Sequence, residues 1–189
     1  MNSLMLDLET LSTEPDAAVL SVGVAIFDET SVIEAVGWAF DLELVHGHID
    51  MQTLKWWMDS KRDNARAFSF SGSCLPFTMA CELKTLLTKH NPQEYWANDP
   101  EFDLVVFKQW WRRQNSRASP GVPLLGDYPF GGRAYQLSRS YRTIMAECVR
   151  CGFSIENLKG RYVAHDPIED ASAQARAVIE ARALIKGQR

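Results

Sequence analysis

The chain has 189 residues, which fits one domain spanning residues 1–189. Hydrophobic residues make up 46% and aromatic residues 11%, enough for a sizeable core. No window approaches the ~18 apolar residues of a membrane span, and the N-terminus has neither the basic segment nor the apolar stretch of a secretory signal, so a cytoplasmic protein with no membrane partner is expected. The net charge of −4 does not advertise a nucleic-acid binder, but the average hides a polarity. Residues 1–50 hold ten acidic residues and no Lys or Arg, whereas residues 101–150 hold eight basic residues against four acids. That asymmetry is compatible with a cation-binding region beside a polyanion-binding one, and also with an ordinary solvated surface.

In chain order, Leu4 to Leu8 reads as a short strand. Residues 17–28 are β-rich, with Val22, Val24 and Ile26 alternating against Ser21, Gly23 and Ala25. Residues 32–43 read as a third strand, and the short links suggest an antiparallel meander. Residues 50–61 read as a helix capped by Asp50, with Leu54, Trp57 and Met58 on one face. Residues 77–90 give a clearer helix, with Met79, Leu83, Leu86 and Leu87 in register. A short strand from Glu94 then meets a turn at "NDP" and a carboxylate after Phe102. Residues 102–115 read as a helix with a basic end, and residues 116–133 as a loop. Helix is expected again from about Ser140, and a last helix from Asp166 or Pro167, where proline suits the first turn. Strands followed by helices and one more strand describe an α/β chain with a mixed sheet.

The stretch "LMLDLETLS" (4–12) runs an apolar strand into Asp7 and Glu9. Two apart on a strand, both side chains face one way. Desolvating two like charges costs several kcal/mol each unless something positive is present. Asp103 opens a helix directly after a short strand, and Asp170 lies in the first turn of the last helix. All four carboxylates thus stand at element ends, where α/β sheets build their sites. A shared pair of divalent cations would remove the repulsion, and hard ions such as Mg²⁺ or Mn²⁺ favour carboxylate oxygen. His165, in "HDPIED" (165–170), can reach the same place from the entering loop, and its ordinary pKa of ~6.5 suits it to take a proton from water.

The order Asp-x-Glu, Phe-Asp, His-x₄-Asp, standing as "LDLET" (6–10), "WANDPEFD" (96–103) and "HDPIED" (165–170), resembles the DEDDh 3′–5′ exonucleases, which have an RNase H-like fold. The details look closest to the phage-type exodeoxyribonuclease A branch, itself similar to a mycobacterial exoribonuclease type. "TLKWW" (53–57) and "WAN" (96–98) carry that closeness, and the resemblance spans about residues 4–180. It implies an α/β fold with an antiparallel three-stranded meander plus parallel strands, flanked by helices. It implies a 3′–5′ exonuclease that releases nucleoside 5′-monophosphates from single-stranded DNA or RNA. Asp7, Glu9, Asp103 and Asp170 would hold two Mg²⁺ or Mn²⁺ ions, and His165 would be the general base. Leu8, Thr10 and Leu11 would form the terminal-nucleotide pocket, with Trp57, Asn98 and Phe102 also against the substrate. The branch carries Gly where this chain has Asp99, which is either a turn residue or a modifier of ion affinity.

Trp56 and Trp57 are adjacent, so on a helix they point about 100° apart, one inward and one to a cleft. Trp110 and Trp111 suit packing or an oligomer surface, and a homodimer is possible. Arg112, Arg113 and Arg117 suit either a phosphate track or plain solvation. Cys148 and Cys151 form a lone Cys-x-x-Cys with no second pair, read as two reduced thiols. The alternative function is a catalytically idle nucleic-acid-binding module with the same fold.

Overall fold

The structure is a computed structural model that describes residues 1–117, 123–132, 134–154 and 165–187. Three strands, β1 (Ser3–Thr10), β2 (Val19–Phe27) and β3 (Val32–Ala39), form the expected antiparallel meander. β4 (Glu94–Ala97) pairs in parallel with β1, and β5 (Ser138–Ser140) in parallel with β4, giving the order β3-β2-β1-β4-β5. The helices are α1 (Met51–Trp57), α2 (Asp63–Ser69), α3 (Pro76–His90), α4 (Asp103–Ser116), α5 (Ala134–Leu137), α6 (Tyr141–Arg150) and α7 (Pro167–Gly187). No helix among the described residues is long and apolar enough to cross a membrane.

Both faces of the central strands are covered, so every residue of β1 and β2 is buried. Leu4, Leu6 and Leu8 share a core with Met79, Leu83 and Leu86 of α3 and Phe107 and Trp110 of α4. Met5, Phe27 and Trp96 pack on the other face against Ala171, Ala175 and Val178 of α7. Asp7 and Glu9 have the parity of Met5, so the strand's alternation alone sends both toward α7.

A row across the sheet lets α7 come close. Asp7 pairs with Gly23, which pairs with Gly37. A Cβ at Gly23 would lie 1.9 Å from the Pro167 carbonyl oxygen, and one at Gly37 would lie 2.3 Å from the Ile168 side chain. The first turn of α7 therefore rests directly on bare backbone beside Asp7.

Far along the same face sits a second buried acid. Glu94 accepts hydrogen bonds from Arg139 Nε (3.1 Å), Ser3 Oγ (3.3 Å) and Trp96 Nε1 (3.1 Å), and it is ion-paired with Arg182 of α7. Arg182 also lies 4.7 Å from the Trp96 ring.

The structure departs from the sequence reading in places. β1 runs past Leu8 to Thr10, and β3 stops at Ala39 rather than continuing to residue 43. The helix expected over 50–61 ends at Trp57, and a 3-10 turn at Ser60–Arg62, capped by Asp59, leads into α2. β5 occupies a stretch read as lying before a helix. Residues 118–122, 133, 155–164 and 188–189 lie outside the described residues.

Candidate active site

The ends of β1 and β4 and the starts of α4 and α7 meet at a cleft of about 600 Å³. Asp7 and Glu9 enter it from β1, at 8% and 6% exposure. Asp103 enters from the first turn of α4 at 4% exposure, its Oδ2 accepting the Asp99 backbone N–H at 3.0 Å. Asp170 enters from α7 and accepts the His165 backbone N–H at 2.7 Å. His165 sits at φ +68, the left-handed region that residues other than glycine seldom occupy. Asp166 fixes the start of α7 by accepting the N–H groups of Ile168 (3.0 Å) and Glu169 (3.2 Å), with Pro167 at the first position. His165 Nδ1 ends 3.9 Å from Glu9 Oε1. One ligating atom each from Glu9, His165 and Asp170 lie within 4.8 Å of one another.

Among the described residues no Lys or Arg side chain outweighs the burial of these acids. Burial, then the charges of Asp103 and Asp170, hold the Asp7 carboxyl well above its usual range, against a 2.9 Å hydrogen bond from Gln174. Burial, then Asp7 and Asp170, do the same to Glu9. Burial pushes Asp103 up to about 7, opposed by the Asp99 N–H and reinforced by the Asp99 charge. Burial pushes Asp170 up to about 6, opposed by the His165 N–H. His165 is shifted the other way, below the usual imidazole value, by burial and then by Arg62, so its neutral form, the one able to accept a proton, is favoured.

The donor set fits a hard divalent cation: oxygen ligands, mutual repulsion, and burial that only positive charge relieves. Gln174 adds to the fit. Its Nε2 is used on Asp7, while its Oε1 is buried with no hydrogen-bond partner among the described residues, an oxygen left over beside the acids.

A second lobe of about 640 Å³ shares Leu8, Glu9, Thr13, Phe102 and His165 with the first and continues to Thr10, Trp56 and Trp57. Asn98 lines the acidic lobe. Thr10 is mostly buried, and its hydroxyl is occupied by the Ser12 carbonyl at 2.7 Å. Leu11 does not line either lobe; it packs with Ala18, Leu20, Trp57 and Ala65 because β1 has ended and its side chain turns into the core. Trp57 is 1% exposed and donates to the Thr10 carbonyl at 2.9 Å, so the inward tryptophan is Trp57. The outward one is Trp56, 36% exposed, its ring 4.7 Å from that of His165 and 3.6 Å from the Arg62 guanidinium carbon.

Several other sequence readings find their place. Arg113 donates to the Asp16 and Ala17 carbonyls at 3.0 and 2.8 Å, a fold contact rather than a phosphate track. Trp110 and Trp111 are both 1% exposed and belong to packing, not to a surface. Cys148 is buried, and all four cysteines are free. Gln174 was missed, although it stands four residues after Asp170 on the same helix face. Arg142 was seen only as one charge among many, yet it lines the acidic lobe.

Comparison with known proteins agrees with this geometry. The model of the 3′-5′ exoribonuclease Rv2179c-like domain matches residues 2–181. Among solved structures, the nuclease domain of 3′hExo, a DEDDh family member crystallised with rAMP, is similar at a TM-score of 0.52 and 13% identity, over 98% of this chain and 92% of that one. At that identity the likeness speaks for the fold, an RNase H-like mixed sheet flanked by helices. No curated protein matched the chain. With a family model covering residues 2–181 of 189, the chain belongs to the Rv2179c-like 3′-5′ exoribonuclease domain family.

Proposed function

We propose that the chain, acting as one catalytic domain, is a cation-dependent 3′–5′ exonuclease of single-stranded DNA or RNA. The observation that carries this is the convergence of four carboxylates from β1, α4 and α7, three of them buried, with His165 beside them. Asp7, Glu9, Asp103 and Asp170 would hold two Mg²⁺ or Mn²⁺ ions, which when bound stabilise negative charge on the attacking and leaving oxygens. His165, whose lowered pKa keeps it neutral, takes the proton of the water that attacks the last phosphodiester. The bond from phosphorus to the 3′ oxygen breaks. The shortened strand leaves with a 3′-hydroxyl, and a nucleoside 5′-monophosphate is released. Leu8 and Phe102, which stand in both lobes, separate the terminal nucleotide from its neighbour. Trp56 offers a ring on which a base stacks without sequence preference. A cytoplasmic setting suits the four free thiols.

The test is a time course on 5′-labelled single-stranded DNA and RNA oligonucleotides with Mg²⁺, Mn²⁺ or EDTA. A ladder shortening from the 3′ end, lost in EDTA, is the expected result, and the faster strand identifies the preferred sugar. No shortening of either strand with any cation would overturn the reading.

A further inference from the structure

The acidic lobe is an unfriendly place for a polyanion. Cations held by its carboxylates account for the reacting phosphate, but the strand carries further phosphates past the cleft wall. Among the described residues lining that lobe, Arg142 is the only Lys or Arg. It stands in the first turn of α6, whose start is fixed by Ser140 capping the Thr143 N–H at 3.2 Å and by a 3.4 Å bond from the Arg142 N–H to the Asn98 carbonyl. Its guanidinium is therefore presented from a fixed backbone at the cleft mouth.

Among the described residues that guanidinium has one ion-pair partner, Asp99, through a single contact of 3.3 Å from Nη1 to Oδ2. The contact is not bidentate, and the two side chains are 66% and 39% exposed, so the pair is weak and exchanges readily. Asp99 is itself a cleft residue, in the turn whose backbone holds Asp103. An acid here adds to a wall that already repels the substrate, and nothing about the turn requires its outer oxygen: Oδ1 caps the Glu101 N–H at 3.2 Å, whereas Oδ2 faces Arg142.

We propose that Arg142 grips a phosphodiester of the entering strand and that Asp99 is its resting partner, so that substrate binds by exchanging a carboxylate for a phosphate on the same guanidinium. Asp99 then works against binding twice, by competing for Arg142 and by repelling the bound strand. It sets how tightly the strand is held between successive cuts. This inference rests on the exonuclease reading above.

The experiment compares wild type, R142A, R142K, D99N and the R142A/D99N double variant on a single-stranded oligonucleotide, reading KM, kcat and the salt dependence of KM. R142A raises KM by about tenfold, the scale of a lost charge-assisted hydrogen bond, with a smaller change in kcat. It also flattens the logarithmic salt slope by about 0.7, one single-strand phosphate contact fewer. R142K restores the slope. D99N lowers KM by about threefold, as expected for releasing an exposed pair, and the gain shrinks in the R142A background because there is no partner left to release. An R142A variant with unchanged KM and salt slope overturns the grip, and a D99N gain of equal size in both backgrounds overturns the exchange. A wild type that shortens no strand removes the functional reading, and this inference with it; a wild type that cuts normally beside an indifferent R142A removes this inference alone.

Discussion

Two ends of one sheet face treat buried carboxylates in opposite ways. At one end, burial would raise the pKa of Glu94, but the bonds from Arg182 and Trp96 and the charges of Arg182 and Arg139 outweigh it and hold the group below its usual value. At the other, Asp7, Glu9, Asp103 and Asp170 are all held above theirs. The same helix serves both: α7 sends Arg182 to Glu94 and Gln174, a neutral amide, to Asp7. Even the aromatic pairings repeat. Arg182 over Trp96 is tied to a carboxylate, whereas Arg62 over Trp56 has a buried Nε without a hydrogen-bond partner among the described residues. A carboxylate that serves the fold is given its counter-charge by the chain. On the function proposed above, the cleft carboxylates take theirs from bound cations.

The sharpest way to break the contrast is to neutralise one acid at each end. Asp7→Asn should cut exonuclease activity by at least about a thousandfold, the upper range for removing one electrostatic contact. The same change should raise the melting temperature of the cation-free protein, because it removes repulsion. Glu94→Gln should do the reverse, leaving the cleft intact but costing about 3 kcal/mol, or roughly 6–12 °C in Tm, as expected when one partner of a buried ion pair is lost. Calorimetry and the oligonucleotide assay on both variants check the pair, and a destabilised Asp7→Asn would contradict the account. Next in size, Trp56→Ala should weaken single-strand binding by about tenfold, the value of one stacked base, measured by fluorescence anisotropy. Trp96→Ala should instead destabilise the fold by about 3–5 kcal/mol.

The smallest effect is also the most diagnostic. Carboxyls with raised folded pKa values bind more protons native than unfolded, so their contribution to stability grows as pH falls from about 8 through the values near 7 and 6 of Asp103 and Asp170. Glu94, with a lowered pKa, contributes stability above the ordinary Glu value near 4.3 and loses it as pH falls through its own lower value. The cation-free protein should therefore gain a few degrees in Tm between pH 8 and 6 and lose stability only in stronger acid. Added Mg²⁺ or Mn²⁺ should raise Tm more at pH 8 than at pH 5.5, and equal increments at both would contradict cation binding by these acids.

Much of this was legible beforehand. The spacing of Asp7 and Glu9 put both on one face, and the helix-start signals at Asp166 and Pro167 placed Asp170 in a first turn. The meander and the long helices followed from apolar alternation and periodicity, whereas the parallel strands followed only from the family resemblance. β5 was not legible, because Ser138–Ser140 is a three-residue edge strand with no apolar side chain to mark it. The break after Trp57 was hidden because Leu54, Trp57 and Met58 continue a helical pattern that the chain abandons. Which tryptophan faced the cleft could not be settled from adjacency, since 100° of separation leaves both choices open. The roles of Gly23 and Gly37 depend on a helix more than a hundred residues away that comes to rest on them.

The hydrogen bond from Gln174 to Asp7 joins positions 167 apart. A ribosome delivers β1 well before α7, so the carboxylates of β1 exist long before the helix that completes their surroundings. Contacts of such separation close late, because the intervening chain must lose its freedom before the contact returns anything. A nascent chain without α7 thus carries its acids without an assembled cleft. For a nuclease synthesised on a single-stranded template, the order of synthesis itself delays the appearance of activity until α7 has emerged.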